Sequence, residues 1–175
     1  MTQRLEQDRL YHELAQAHGA AMMRLAQSSE ANADKRMDLV QMMHVELWKS
    51  LQHFDGRCSQ KTWVYRVIHN VAASYVRQEA RRNTPLLGVE EIDDFPAETD
   101  MYSNAEKRDA LAKLYAWIRR LKMPDRQILL LYLEDVPTSE ISEMLGLSVG
   151  AVSTRISRLK SKLTIHFEET NHDKP

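Results

Sequence analysis

Apolar residues recur at steps of three and four along almost all of this 175-residue chain, and alternating β-branched runs bounded by turn residues are absent. That period is the one an α-helix needs to bury one face, so the chain is expected to be all-α. A first helix should run from about Gln3 to Gln27, with Leu14, Ala17, Ala21 and Leu25 inward. The polar Ser28-Ser29-Glu30 stretch breaks it. A second, from roughly Asn32 to His53, carries Val40, Met43, Leu47, Leu51 and Phe54, and the two should pack as an antiparallel pair. Asp55-Gly56 favours a turn, and Ser59 can cap a third helix that ends near Arg82, ahead of Pro85. Its inner stripe reads Val64, Val67 or Ile68, Val71 and Tyr75. Arg66, His69, Ala73 and Arg77, flanked by Tyr65 and Asn70, lie on another face as a polar and aromatic strip.

Residues 84–109 change character, with eight acids against two bases, two prolines and a glycine. The stretch reads as a linker between two lobes, the first covering 1–83 and the second 104–170, with 84–103 between them. The second lobe should open with a helix whose stripe is Leu111, Leu114, Ile118 and Leu121, stopped before Pro124 and followed by three short helices.

Residues 138–163 carry the most specific pattern. Thr138 or Ser139 can cap a short helix, Gly146 supplies the left-handed residue that ends it, and Ser148 can cap the next, leaving a three-residue turn. Ser142 is small enough for the two helices to cross closely, and Val152 fills the angle between them. This spacing is that of a helix-turn-helix. An inner stripe of Val152, Ile156, Leu159 and Leu163 turns Ser153, Thr154, Ser157 and Arg158 outward, where short hydroxyls let a helix enter a major groove and Arg158 can reach a guanine edge or a phosphate. Arg155, Lys160 and Lys162 are better placed for phosphates.

Net charge is only -1, but its distribution is uneven. Residues 57–82 hold six bases against Glu79, and residues 148–166 hold four with no acid. Two basic segments flanking an acidic one fit polyanion binding, although solvated helix faces would look the same by charge alone. With one cysteine, Cys58, an internal disulfide and a multi-Cys zinc site are excluded. No His-Glu-x-x-His, Gly-rich phosphate loop or nucleophile elbow occurs, so no metal, cofactor or enzyme chemistry is expected. No run is apolar enough for a signal peptide or a membrane span, and a cytoplasmic location without membrane insertion is expected.

With these residues laid out, the chain resembles an extracytoplasmic-function sigma factor of the sigma-70 family, the small two-domain class of bacterial transcription initiation factors. Asp38-Leu39-Val40-Gln41 with Leu47-Trp48 and Leu51 is similar to the family's second conserved region. Phe54-Asp55-Gly56-Arg57 and the run from Lys61 to Asn70 resemble the promoter-melting segment. Met123-Pro124-Asp125-Arg126, Leu145-Gly146-Leu147-Ser148 and Gly150 to Ile156 resemble the region that reads the upstream element. The resemblance implies that Asp38, Leu39, Gln41 and Trp48 bind core RNA polymerase, with the clamp coiled coil of its largest subunit and the flap of the second-largest as docking points. It implies that Phe54, Arg57, Lys61, Trp63, Tyr65, Arg66, His69, Asn70 and Arg77 meet the melted minus-ten strand, and that Ser148, Ser153, Thr154, Arg155, Ser157, Arg158 and Lys160 hold the minus-thirty-five element as duplex. Trp63 also reads as a core aromatic, and Tyr75 falls on the inner stripe. An anti-sigma factor or a Ser/Thr kinase is a further partner of this kind of protein, with Ser50, Ser59 and Thr62 the nearby hydroxyls. The chain departs from the family around Asp38, where Arg36, Met37, Met42 and Met43 stand in place of additional acids, which implies weak intrinsic affinity for core polymerase. A stand-alone duplex-DNA regulator and a helical adaptor are the competing readings.

Overall fold

The structure, a computed structural model, describes residues 2–82 and 104–172; the acidic linker lies outside them. Among the described residues there are seven α-helices and one 3-10 turn, and no strand, so the all-α expectation holds. Two compact units divide the chain, residues 1–121 and 122–175.

In the first unit α1 (Thr2–Gln27), α2 (Ala33–Ser50) and α3 (Gln60–Arg82) pack on one another, with the 3-10 turn Leu51–His53 continuing α2. Cross-helix bonds set an up-down-up order. Gln7 meets the Trp48 carbonyl and Tyr11 meets His44 across α1 and α2; Lys35 meets Glu79 and Trp63 meets Ser50 across α2 and α3. The termini follow from local chemistry. The Ser28 and Ser29 hydroxyls donate back to the Leu25 carbonyl at 2.8 and 2.7 Å as α1 ends, and the Asn32 side chain accepts the Lys35 N–H as α2 begins. The Ser59 hydroxyl accepts the Thr62 N–H at 3.0 Å, the expected cap of α3.

Met22, Leu39, Met43, Leu47, Val64 and Ile68 are fully buried where the three helices meet, each such side chain stabilising the fold by about 1.5–3 kcal/mol. Ala17, expected inward, is exposed, and the buried face of α1 consists of Leu14, Ala21, Met22, Leu25 and Ala26. On α3 the inward side is broader than the expected stripe and includes Tyr65, His69, Ala72 and Ala73. Tyr75 is half-buried, and its hydroxyl donates a short bond to Glu30. Burial, and the Glu30 carboxylate beside it, hold that phenol well above its usual pKa. The next helix, α4 (Asn104–Arg120), groups with this first unit: the Arg119 guanidinium donates to the Gln27 carbonyl at the end of α1, at 2.8 Å. Of its expected stripe only Ile118 is buried, and Leu111 is exposed.

In the second unit α5 (Asp125–Leu133), α6 (Thr138–Leu145) and α7 (Val149–His172) pack around Ile128, Leu129, Leu131, Ile141, Val152 and Leu159. The last helix is 24 residues long rather than short. Thr138 is the first residue of α6, not its cap: Pro137 holds the cap position with no side-chain bond.

Candidate nucleic-acid and polymerase interfaces

The helix-turn-helix is built as its spacing requires. Gly146 ends α6 in the left-handed region at φ +66°, where a Cβ would be strained. The Leu147 N–H then donates to the Ser142 carbonyl at 3.1 Å while the Ser142 hydroxyl donates to the Leu147 carbonyl at 2.5 Å. This pair of reciprocal bonds closes the turn, and it needs a short hydroxyl side chain at position 142. The Ser148 hydroxyl accepts the Ala151 N–H as α7 starts, and Val152 is fully buried in the angle.

Because Val152, Ile156 and Leu159 face inward, Ser153, Thr154, Ser157 and Arg158 stand exposed on the opposite side of α7, with Ser148 and Lys160 also exposed and Arg155 half-buried. The Thr154 hydroxyl donates to the Gly150 carbonyl at 2.9 Å. Lys160 rests its ammonium 5.8 Å from the centre of the Tyr132 ring, beside a groove of about 370 Å³ that also touches Thr138, Ser153 and Ser157. Arg155 and Arg158 both reach Asp125 on α5, at 2.5 and 3.2 Å. That pairing has no sequence signal, since 30 residues separate Asp125 from Arg155 and only the fold brings them together.

The first unit treats its candidate residues differently. Arg57, Lys61, Asn70 and Arg77 are exposed. Arg57 pairs with Asp55 at 2.5 Å across the Gly56 turn, and its guanidinium holds the Asp55 carboxyl below the usual carboxylate range. Phe54 and Trp63 are half-buried, their rings edge to face at 5.4 Å, and the Trp63 indole N–H donates to the Ser50 hydroxyl at 3.0 Å. Arg66 is also half-buried. Tyr65 and His69, by contrast, are core residues, 4% and 3% exposed. Their rings stack at 6.2 Å, and His18 of α1 meets Tyr65 edge to face. The reason is helical geometry: positions 65, 69, 72 and 73 turn towards α1, and burying aromatic area there stabilises the bundle. These two are buried, off the exposed strip on which helical period placed them and away from the surface that the resemblance implies for them.

On α2 the exposed side shows Asp38, Gln41, Met42 and Val45. Leu39 is fully buried and belongs to the core rather than to a docking face. Trp48 is half-buried at the edge, its indole donating to Asp8 on α1 at 2.8 Å. Of the residues that replace acids around Asp38, Arg36 and Met43 are buried, with Arg36 donating to the Ala31 carbonyl at 2.9 Å; only Met37 and Met42 alter the surface. Among the described residues no cluster of His, Cys, Asp and Glu could hold a metal ion, and no helix is long and apolar enough to cross a membrane.

A helical unit with a basic, partly aromatic third helix, followed by a helix-turn-helix, defines a DNA-binding protein of two helical modules. Family models match both parts in this order: Sigma-70 region 2 over residues 14–82 and Sigma-70, region 4 over residues 111–163, the second beginning within α4. The chain belongs to the sigma-70 family, as an extracytoplasmic-function sigma factor that binds RNA polymerase and directs promoter recognition. It is 28% identical over 158 residues to the RNA polymerase sigma factor NccH of Alcaligenes xylosoxydans xylosoxydans, covering 88% of this chain and 84% of that one. To the RNA polymerase sigma factor CnrH of Cupriavidus metallidurans it is 27% identical, covering 89% and 85%, and to the ECF RNA polymerase sigma-E factor of Haemophilus influenzae 26%, covering 72% and 71%. The solved structure of CnrH in complex with the cytosolic domain of CnrY shares the fold, with a TM-score of 0.66 at 22% identity over 95% of this chain and 97% of that one. A stand-alone duplex-DNA regulator is not favoured, because region 2 accompanies region 4. Sigma factors are not enzymes.

Proposed function

We propose that the two parts divide promoter recognition, with residues 104–170 holding the minus-thirty-five element as duplex, residues 1–83 engaging core polymerase and the melted minus-ten strand, and 84–103 connecting them. The observation that carries this is the exposed ridge of Ser153, Thr154, Ser157 and Arg158 on α7, set over a buried Val152. Short side chains allow close approach to a major groove, and a guanidinium at the ridge reads a guanine edge or anchors a phosphate. Ser148, Arg155 and Lys160 flank the ridge as phosphate contacts. In the first part Phe54, Arg57, Lys61, Trp63, Arg66, Asn70 and Arg77 form the single-strand surface, where aromatic stacking and cations act together. Asp38 and Gln41, with Met42 beside them, are the docking surface for the clamp coiled coil of the largest polymerase subunit, and Trp48 braces its edge; the flap of the second-largest subunit receives the second part.

The protein works in the cytoplasm and has no catalytic step of its own. An anti-sigma protein is a third partner, on the likeness to CnrH, which was solved with the cytosolic domain of CnrY. A kinase acting at Ser50, Ser59 or Thr62 finds less support: the first accepts the Trp63 indole, the second caps α3, and the third is buried.

Run-off transcription with purified core polymerase tests the division. Arg158→Ala is expected to cost about 1–3 kcal/mol in promoter affinity, confined to templates with an intact upstream element. Equal loss on templates with a scrambled upstream element would remove α7 from sequence reading.

A further inference from the structure

Asp125 is the first residue of α5, and its two carboxylate oxygens are divided between two side chains of α7. Oδ1 accepts from Arg155 Nη1 at 2.5 Å and Oδ2 accepts from Arg158 Nη2 at 3.2 Å. The arginines are three apart in the helix and so share a face, but they are held unequally. Arg155 is the shorter and more enclosed pair, its side chain 35% exposed, while Arg158 is 54% exposed and its bond is longer. The carboxylate itself is only 20% exposed, so it is a fixed anion at the border of the proposed DNA face rather than a swinging surface acid.

Three consequences follow from charge and geometry. A carboxylate set between two guanidiniums fixes the direction of their planes, which an exposed arginine otherwise explores freely. It leaves the cluster one net positive charge instead of two, weakening attraction to any phosphate irrespective of sequence. It also competes for Arg158: a lone phosphate in the wrong register must displace Asp125, whereas a guanine edge offers the paired acceptors that suit a guanidinium.

We propose that Asp125 is a specificity-determining positioning residue of the DNA-reading helix, bracing Arg155 and restraining Arg158 so that Arg158 is released to a matching base edge in preference to an arbitrary phosphate. The proposal rests on the reading of α7 as the upstream-element helix. Asp125 itself touches no DNA; it acts through the two arginines.

The test uses holoenzyme assembled from the full chain and core polymerase, with wild type, Asp125→Asn, Asp125→Glu and Arg158→Ala compared on promoter fragments carrying an intact or a scrambled upstream element across a salt series. Asp125→Asn is expected to bind the scrambled fragment about threefold to tenfold more tightly, with a salt slope steeper by about one phosphate contact, and so to discriminate less between the fragments. Asp125→Glu should restore discrimination, because the charge is kept. In the Arg158→Ala background, Asp125→Asn should have little further effect on discrimination, since its partner is gone. If Asp125→Asn weakens both fragments equally, or leaves salt slope and discrimination unchanged, Asp125 is a structural brace only and the proposal is overturned. Should Asp125→Asn fail to fold by thermal melting, Asp125→Ser takes its place with the same readouts, so that unchanged salt slope and discrimination in a folded variant without the carboxylate still refute the proposal. Failure of the underlying reading looks different, as wild-type holoenzyme would then not distinguish the two fragments at all.

Discussion

The two candidate DNA surfaces of this protein treat residues of similar chemistry in opposite ways. On α7 every outward position of the helix-turn-helix is solvent-facing or at the edge, and the polar groups there are held by short local bonds or by Asp125. On α3 half of the aromatic strip has been taken into the core: Tyr65 and His69 are buried against α1, and Trp63 is pinned to Ser50 and Phe54. Each helix packs against two others, α5 and α6 on α7, α1 and α2 on α3. The difference lies in the width of the arc they cover: Val64, Tyr65, Ile68, His69, Ala72 and Ala73 are buried on α3, but only Val152, Ile156 and Leu159 on the described part of α7. A helix covered over a wider arc keeps a narrower face for a ligand.

The sharpest way to break this contrast is to truncate the buried members. Tyr65→Ala should destabilise the chain by about 3–5 kcal/mol and Leu39→Ala by about 2–5 kcal/mol, seen in urea unfolding, with promoter opening and core binding little changed per folded molecule. A stable Tyr65→Ala that fails to open promoters would return Tyr65 to the strand-binding surface. Next in size is Trp63→Ala, expected to lose about 1–3 kcal/mol of open-complex stability as a stacking contact disappears. A template with a pre-melted bubble should restore its activity, and no restoration would place Trp63 with the structural residues instead.

A smaller effect is expected on α2. Met42 is exposed beside Asp38, so Met42→Glu supplies the kind of acid the family's docking surface carries, and core affinity should rise by about 0.2–1 kcal/mol with steeper salt dependence. Equal or weaker binding would show that the methionine serves the contact as well as a carboxylate. The smallest effect concerns pH. Burial holds the His44 imidazole below its usual value of 6.5, with the Tyr11 hydroxyl 3.0 Å from its Nδ1. The unfolded chain therefore binds a proton that the folded chain resists. The stability that His44 contributes is fully present above pH 6.5 and declines as pH falls below it, until the folded group is protonated too. Urea midpoints of wild type and His44→Gln, measured from above to below pH 6.5, should converge at the acid end.

Much of the second unit was legible because its signals are local. A glycine at a left-handed position, a serine cap and a small residue four positions before the glycine are each recognisable within a few residues, and backbone geometry then dictates what faces outward. The first unit was legible as helices but not as a surface. Period alone placed Val64 inward and left Val67 or Ile68 open, of which Ile68 is the buried one, and it could not tell that the inward arc of α3 is wide enough to include His69 and Ala73. That width depends on where α1 lies. Similarly, Arg36 reads as a departure from an acidic surface until packing puts it in the core, and Met43 stands on the inner stripe of α2 by period already, which leaves Met37 and Met42 as the exposed changes.

What the sequence determined by itself was the helical period, the breaks between helices, the helix-turn-helix and the family, since all of these are encoded in spacings of a few residues or in the order of motifs. Tertiary structure alone decided which aromatics of α3 remain at the surface, that Trp48 is tied to Asp8, and that Asp125 lies between Arg155 and Arg158. The last two join residues 30 or more positions apart, and such pairings follow from the packing of whole helices against one another, a property no local spacing contains.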